Sequence, residues 1–260
     1  MTILKEVSCV KFRGNTFVDT KHEVAEEAPL EISVNGSHFV TAMLSPEMKR
    51  EFVIGHLLTE GIIKDLSELE SVQIEGHRAS ALVAHFLPGF SGKKIIVSGC
   101  GGGTSFLDDS KLPAITSCLV VEQDTVFTVL KATLTSPVHR ITGGVHLVGL
   151  FVVEGHEAKP ICIVADIGRH NAFDKVIGYG LLHDVPFDHA FVACSGRISS
   201  EMALKCARTN ISLIASHGAT TSLAITLAEK TGLCIIGFVR GETMNVYTHT
   251  ERVRRVERGL

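Results

Sequence analysis

The stretch that decides the fold is ICIVADIGRHNAFDKVIG, residues 161–178, where an apolar strand passes through a short polar loop into a helical pattern. The same succession occurs twice more before the chain ends. Strands are predicted at about 161–166, 190–194, 211–215 and 233–238, and helices at about 171–182, 198–208 and 220–231. Strands and helices that alternate in this way predict right-handed crossovers and a mainly parallel sheet covered by helices, hence an α/β unit.

The first part of the chain predicts a smaller α+β domain. PLEISVNG and SHFVTAML, residues 29–44, indicate a hairpin around an Asn35-Gly36 turn. Ser45 is expected to cap the next helix, with Pro46 in its first turn and Gly61 at its end. Further strand-like runs lie at 71–76, 79–86 and 93–99.

Pro113 marks the predicted joint between two domains. Residues 1–112 form the α+β domain, and residues 113–260 form the α/β domain.

Composition and charge argue against nucleic-acid binding, secretion and insertion into a membrane. The formal net charge is -3, so no global positive field is available to bind a nucleic acid. The N-terminus lacks the apolar block of a secretion signal, and the apolar run from Val145 to Val153 is too short to span a bilayer. The seven cysteines are spaced singly and form no CxxC motif, which is typical of a reducing compartment. A cytoplasmic protein without a membrane or nucleic-acid partner is predicted.

Polar residues follow each predicted strand of the second half. These loops contain Asp166 to His170, Ser195 to Arg197, Ser216 to Gly218, and Arg240 to Glu242. Ligands of open parallel sheets bind outside the carboxyl ends of the strands. Arginines together with free N–H groups at the helix starts near Asn171, Ile198 and Thr220 predict an anionic, nucleotide-like ligand. The alternative is that these are ordinary loops with solvated arginines.

A second candidate site is KKIIVSGCGGGTSF, residues 93–106. Glycines surround Cys100, so successive N–H groups can turn inward and favour a thiolate. The other six cysteines are expected to be mostly buried. The loop lacks the third glycine of a dinucleotide fingerprint and the Gly-Lys-Ser/Thr ending of a P-loop. A hairpin tip with an incidental cysteine remains the competing interpretation.

Histidines and serines give weaker signals. His139, His146, His170 and His217 stand near suggestive residues, but no HExxH or deaminase motif is present, so no metal site is expected. His139 and His146 are interpreted as structural. Ser195 does not lie in a G-x-S-x-G elbow, and its hydroxyl is expected to bind a ligand oxygen.

Several segments resemble the formate dehydrogenase accessory proteins that act as sulfurtransferases in molybdenum cofactor maturation. They are EEAPLEISVNG, HLLTEGII, TGGVHLVGLF, DIGRHNAFDKVIG, SGRISSEMALKCAR and TSLAITLAEKTGLCIIGFVRGETMNVYT. This resemblance implies a three-layer, cytidine-deaminase-like C-terminal domain without the deaminase zinc site, and a homodimer. It also implies that a cysteine desulfurase loads a persulfide onto Cys100, and that the sulfur passes to bis-molybdopterin guanine dinucleotide before formate dehydrogenase receives it.

The resemblance further implies a cofactor-binding segment close to the C-terminus. Its residues are Phe238, Val239, Arg240, Gly241, Glu242 and Thr243, and Asp166, His170, Ser195 and Arg197 are expected to face the same ligand.

The chain departs from the family pattern at three places. Gly103 replaces the second cysteine of the usual CGxCG loop, Ala165 replaces an acidic residue, and residues 218–222 replace Ser-Ala-Pro-Thr-Ser. Two functions from other classes stay open as well: a cofactor-binding chaperone that moves no sulfur, and a nucleotide hydrolase or deaminase.

Overall fold

The computed structural model describes residues 2–84, 94–96 and 112–255. The strands are β1 Leu4–Arg13, β2 Thr16–Ala25, β3 Ala28–Val34, β4 Ser37–Leu44, β5 Leu69–Glu75, β6 Arg78–Val83, β7 Lys94–Ile96, β8 Val121–Glu122, β9 His146–Glu154, β10 Glu157–Asp166, β11 Ala190–Cys194, β12 Leu213–Ser216, β13 Cys234–Arg240, β14 Thr243–Val246 and β15 Val253–Arg254. The α-helices are α1 Lys49–Thr59, α2 Gln123–Leu134, α3 Pro137–Thr142, α4 Arg169–Leu182, α5 Ser200–Arg208 and α6 Ser222–Thr231. Short 3₁₀ turns span Leu66–Glu68, Phe187–His189 and Thr250–Arg252.

The second half of the described chain forms a six-stranded sheet in the order β10-β9-β11-β12-β13-β14. The predicted strands correspond to β10, β11, β12 and β13, and all four run in the same direction. The α/β class is therefore confirmed. The pairing is more mixed than predicted, because β9 lies antiparallel between β10 and β11 and β14 lies antiparallel at the other edge.

Helices cover both faces of this sheet and make it three-layered. Phe151, Phe191 and Leu213 belong to the cluster that α2 covers. Leu150 and Val192 point to the opposite face, where they join the core beneath α4, α5 and α6. This alternation follows the two-residue period of a strand, and burial on both faces explains why the sequence shows nearly continuous apolar runs here.

The described helices are short, since α4, with 14 residues, is the longest of them. None of the helices in the described part of the chain combines the length and the hydropathy needed to cross a bilayer.

The N-terminal part contains a five-stranded sheet, within the described residues, in the order β5-β6-β3-β4-β7. The predicted hairpin is confirmed as β3 and β4, and Gly61 follows the end of α1 with a φ of 76°. The predicted cap is wrong, because α1 begins at Lys49 after Met48 and Ser45 lies one turn earlier. Instead, the Ser45 N–H donates to Asp166 Oδ2 at 3.1 Å, far away in sequence.

A long hairpin that the sequence analysis did not identify precedes this sheet. It consists of β1 and β2, and its outer part exposes the paired rings of Phe12 and Phe17, whose centroids lie 5.8 Å apart. The described residues leave both of its edges unpaired.

The two sheets are held together by the crossing of α1 and α4. A Cβ added to Gly55 would lie 1.8 Å from the Asp174 carbonyl oxygen, and one added to Gly178 would lie 1.8 Å from the Glu51 carbonyl oxygen. Only glycine permits backbones to approach this closely. One core cluster accordingly contains residues of both sheets, such as Leu30 and Ile235. The boundary at residue 113 stays a prediction.

Beside this crossing, α1 and α4 bury a charged group. Asp174 accepts hydrogen bonds from Lys205 Nζ at 2.7 Å, from Thr59 Oγ1 at 2.7 Å and from His56 Nδ1 at 2.8 Å. Burial alone raises the pKa of the Asp174 carboxyl, but Lys205 and His56 outweigh burial and lower that pKa to about 2. The carboxylate is thus charged at neutral pH and links α1, α4 and α5.

Candidate functional site

The loops that follow β11, β12 and β13 meet at one edge of the six-stranded sheet. The His217 N–H donates to the Cys194 carbonyl, the Ile198 N–H donates to the Ala219 carbonyl, and the Phe238 N–H donates to the Gly218 carbonyl. The loop after β10 joins them, since Arg169 packs against Gly196. The predicted convergence of the four loops is therefore confirmed.

A cleft with a volume of about 520 Å³ opens at this edge. Three imidazole rings and one hydroxyl supply its polar side chains. Its lining residues are Leu134, His139, Gly143, Gly144, Val145, His146, Ser195 and His217.

Ser195 lies at the cleft because β11 ends beside the start of β9. Its N–H donates to the Leu147 carbonyl at 2.9 Å, and its Oγ accepts the Leu147 N–H at 2.9 Å. Since Oγ serves there as an acceptor, its own proton is available for another group. The predicted role of Ser195 as a donor to a ligand oxygen is compatible with this geometry and stays a prediction.

Two histidines of the cleft are oriented by backbone carbonyls. His139 Nδ1 lies 2.9 Å from the Val145 oxygen, and His217 Nδ1 lies 3.2 Å from the Val239 oxygen. A carbonyl can only accept, so each Nδ1 carries a proton. In both rings Nε2 has no hydrogen-bond partner among the described residues.

His146 is the first residue of β9 and lies opposite Asp166 in the sheet. Burial lowers the pKa of its imidazole, and Arg169, His139 and Arg197 lower it further, against an opposing effect of Asp166. The ring is therefore neutral at physiological pH and stands in a positive field.

The segment from Phe238 to Thr243 forms the tip of the β13–β14 hairpin beside the cleft. The ladder is interrupted between Gly237 and Arg240, and Phe238 has a φ of 51°. This places the Arg240 guanidinium carbon 5.7 Å from the centroid of the exposed Phe238 ring. Phe238, Arg240, Gly241, Glu242 and Thr243 are exposed, whereas Val239 is buried. An aromatic ring and a cation at an exposed tip can stack on a base and pair with a phosphate.

Asp166 does not line the cleft, because its carboxylate is used within the protein, and its contact with a ligand stays a prediction. Its Oδ1 accepts from the Gly168 N–H at 2.9 Å and Asn171 Nδ2 at 3.0 Å, and its Oδ2 accepts from Lys175 Nζ at 2.5 Å and the Ser45 N–H. The side chain is fully buried. Asp166 therefore positions the strand-to-helix turn and joins it to the N-terminal sheet.

His170 does not line the cleft either. Its Nε2 lies 3.2 Å from Ser199 Oγ and 3.2 Å from Glu201 Oε2. Burial lowers the pKa of His170 to about 3, and Lys205 and Arg169 contribute to this shift, so the contact with Glu201 is a hydrogen bond of a neutral ring. The expected contact of His170 with a ligand stays a prediction.

Some of the backbone N–H groups that were predicted to be free at the helix starts donate hydrogen bonds within the protein. The Ile198 N–H donates within the loops, and Ile198 and Thr220 form a bridge before α5 and α6 begin. Arg197, in contrast, is exposed at the edge of the sheet, as a ligand contact requires.

The sequence analysis did not place His146 at the same sheet edge as Ser195. An antiparallel strand begins at the edge where its parallel neighbours end, so His146 reaches the same edge as Ser195. The pattern HLVGLFVVEGHEAKPICIVAD, in which two strands flank a Glu154-Gly155 turn, is the signal that could have identified this placement.

Cys100 lies outside the described residues. Of the other cysteines, Cys194, Cys206 and Cys234 are buried, and burial raises the pKa of each thiol. Cys9 and Cys118 are exposed, so the expectation that the six are mostly buried holds for only part of them. Among the described residues no group of three or more His, Cys, Asp and Glu side chains is arranged to hold a metal ion.

Comparisons with a family model, with curated proteins and with solved structures all point to one family. The model of the FdhD/NarQ family matches residues 25–254. Sulfur carrier protein FdhD of Geobacillus kaustophilus is 38% identical over 252 residues, covering 94% of each chain, and that of Bacillus subtilis is 36% identical, covering 88% of this chain and 89% of the relative. A crystal structure described as that of a formate dehydrogenase accessory protein from Desulfotalea psychrophila superimposes with a TM-score of 0.78 at 25% identity, covering 97% of this chain and 100% of that chain.

Proposed function

Because this chain belongs to the FdhD/NarQ family, we propose that it is a sulfur carrier protein in the maturation of formate dehydrogenase. The similarity to sulfur carrier proteins over nearly the whole chain is the observation that carries this function. The protein takes sulfur from a cysteine desulfurase as a persulfide on Cys100 and passes it to bis-molybdopterin guanine dinucleotide. Because it moves sulfur from one protein to a cofactor, it acts as a sulfurtransferase. It works in the cytoplasm as a homodimer.

The hairpin tip supports the binding of a guanine nucleotide portion of that substrate. Phe238 supplies an exposed ring for stacking, and Arg240 and Arg197 supply guanidinium groups for phosphate oxygens. Val239 contributes through its carbonyl, which accepts from His217 and ties the tip to the cleft. The site therefore combines an aromatic surface with two cations at the edge of a rigid sheet.

A persulfide on Cys100 is the first testable consequence. It forms by exchange: the Cys100 thiolate attacks the outer sulfur of the desulfurase persulfide, and the desulfurase cysteine leaves as a thiolate, so loading needs no second loop cysteine. Release of the outer sulfur as sulfide takes two electrons, which an external thiol supplies in place of a second loop cysteine, so Gly103 does not prevent transfer. After incubation with a cysteine desulfurase and cysteine, intact mass spectrometry is expected to show one added sulfur atom on the wild type and none on Cys100→Ser. A variant that keeps only Cys100 is expected to load sulfur and to support formate dehydrogenase activity.

The exposed cysteines provide the matched controls for this experiment. Cys9→Ser and Cys118→Ser each remove an accessible thiol, and both are expected to load sulfur as the wild type does. If Cys100→Ser still supports formate dehydrogenase activity, the protein is a cofactor-binding chaperone that moves no sulfur.

Binding of GDP tests the proposed nucleotide position. Loss of a charge-assisted hydrogen bond costs about 1.5–3 kcal/mol, so Arg240→Ala is expected to weaken GDP binding by roughly 10- to 100-fold in calorimetry. Arg78→Ala is the control, because it removes an exposed arginine from the other, five-stranded sheet. The Nε atom of Arg78 lies 3.6 Å from Glu31 Oε2. Equal affinity of wild type and Arg240→Ala would show that the nucleotide lies elsewhere.

A further inference from the structure

The β1–β2 hairpin is poorly covered by the rest of the described chain. All residues of 8–13 and 16–19 are exposed. Val10, Phe12 and Phe17 lie on one face of the hairpin, and the two rings keep 72% and 68% of their surface accessible. A hairpin of two strands is marginally stable at best in water, and clustered apolar side chains at this exposure mark an interaction surface. The hairpin is therefore expected to be covered by a partner.

The backbone of the hairpin also has free hydrogen-bonding groups, because β1 and β2 pair only with each other among the described residues. The two-residue turn, in which Gly14 has a φ of 59°, makes Arg13 and Thr16 a hydrogen-bonded pair. Since the ladder alternates, every second residue of β2 directs its N–H and C=O away from β1. These residues include Phe17, Asp19, Lys21 and Glu23. Such an edge is a template for a further strand.

Charges along the edge of β2 show that a second copy of this chain fits it. Two copies of one strand pair antiparallel about a two-fold axis when one residue faces its own copy and its two neighbours face each other. With Thr20 on the axis, Asp19 of each copy lies opposite Lys21 of the other. Opposite charges at facing positions stabilise a strand pair. With Lys21 on the axis instead, Asp19 would face Glu23, so charge complementarity selects the register about Thr20.

The edge of β1 lacks this complementarity. With Ser8 on the two-fold axis, Lys5 of each copy would face Lys11 of the other. With Cys9 on the axis, Lys5 would face Arg13. Like charges at facing positions destabilise a strand pair. The two most central registers of β1 are thus both unfavourable, which leaves β2 as the edge that a second copy would occupy.

We propose that the free edge of β2 is a dimerisation surface, on which two copies of this chain pair about Thr20. The product is one four-stranded sheet in the order β1-β2-β2-β1, in which the outward backbone groups of both copies of β2 are bonded. More than two strands supply the stability that the single hairpin lacks. The proposal deepens the proposed function, since it rests on the homodimer named there and assigns its interface.

This register also brings the apolar tip of each hairpin to the second copy. Thr16 of one copy lies opposite Val24 of the other, so the tip reaches the base of the partner hairpin. At that base Ala25 packs beside Gly144, just after α3, and its Cβ lies 3.6 Å from the position of a Cβ on Gly144. Ile141 of α3 is exposed. The tip therefore lies on the side of the second copy where α3 offers an apolar side chain.

Charge reversal at the two facing positions tests the register. Asp19→Lys places like charges at both symmetry-related pairs and is expected to weaken self-association by roughly 10- to 100-fold in sedimentation equilibrium. Lys21→Asp is expected to have the same effect. A mixture of these two variants restores opposite charges and is expected to form heterodimers with the affinity of the wild type. Lys11→Asp, the matched control, reverses an exposed charge on β1 and is expected to dimerise as the wild type does.

Disulfide trapping tests the position of the axis. Thr20 would face its own copy in a non-hydrogen-bonded pair, with Cα atoms about 4.5 Å apart, a distance that a disulfide can span. Because Cys9 lies opposite Thr20 within the hairpin, Thr20→Cys is combined with Cys9→Ser. This variant is expected to form a covalent dimer on oxidation with diamide, and a reductant is expected to reverse it. Cys9→Ser alone is the control for the remaining cysteines and is expected to form none.

Three results would each overturn the proposal. They are a wild type that stays monomeric throughout the concentration range, equal self-association of Asp19→Lys and the wild type, and no covalent dimer of the Thr20→Cys variant. Thermal unfolding confirms that each variant is folded, and Lys21→Asp replaces Asp19→Lys if the latter does not fold. Sulfur loading of Cys100 is measured separately by mass, so failure of this interface and failure of the carrier function are distinguishable.

Discussion

Gly178→Ala is expected to lower the free energy of unfolding by more than about 3 kcal/mol, beyond the usual range for overpacking. The added Cβ would lie 1.8 Å from the Glu51 carbonyl oxygen and 2.9 Å from the Gly55 nitrogen. Both atoms are backbone of α1, so no rotamer change relieves the overlap and the two helices must separate. Equilibrium unfolding in urea measures the loss.

Gly180→Ala is the matched control in the same helix. Both substitutions gain similar helix propensity, roughly 1 kcal/mol. At position 180 the Cβ meets the Phe187 ring at 2.8 Å and Leu150 Cδ2 at 2.9 Å, which are side-chain atoms that can shift. A much smaller loss is therefore expected for Gly180→Ala. Equal losses for the two variants would show that the close approach of α1 and α4 does not limit stability.

Asp166→Ala is expected to lower the free energy of unfolding by about 3–5 kcal/mol, because it leaves a buried ammonium without its counter-charge. Lys175 Nζ would keep the Ser45 carbonyl at 2.8 Å as its partner. The amides of Ser45 and Gly168 would also lose their acceptor. Urea unfolding of Asp166→Leu, of Lys175→Met and of the variant that combines the two gives the coupling energy between the side chains. The double variant is expected to recover part of the loss, since apolar residues can replace a buried ion pair.

An exposed ion pair provides the comparison for this effect. Glu6 Oε1 lies 2.7 Å from Lys21 Nζ on the β1–β2 hairpin, and both side chains are largely exposed. Glu6→Ala is expected to leave the unfolding midpoint unchanged, because solvent screens such pairs. A small effect of Asp166→Ala together with loss of formate dehydrogenase maturation would instead assign Asp166 to ligand binding.

The sequence analysis succeeded where local patterns determine the outcome. Alternating strands and helices from residue 161 onward predict the direction of β10, β11, β12 and β13, and with it the sheet edge on which both Ser195 and Arg240 lie. The failures concern partners that are distant in the chain. Ser45 was predicted to cap a helix, but its N–H bonds to Asp166, which lies 121 positions further along the chain.

Local patterning therefore determined the α/β class, the hairpin at Asn35-Gly36 and the set of loops around the sheet edge. Each of these depends on residue periodicity and turn chemistry over a few neighbours. Only the tertiary structure decided that β9 inserts between β10 and β11, which brings His146 to Ser195 and His217. The physical reason is that strand pairing and the burial of charge are set by contacts across the chain, and one sequence pattern is compatible with several partners.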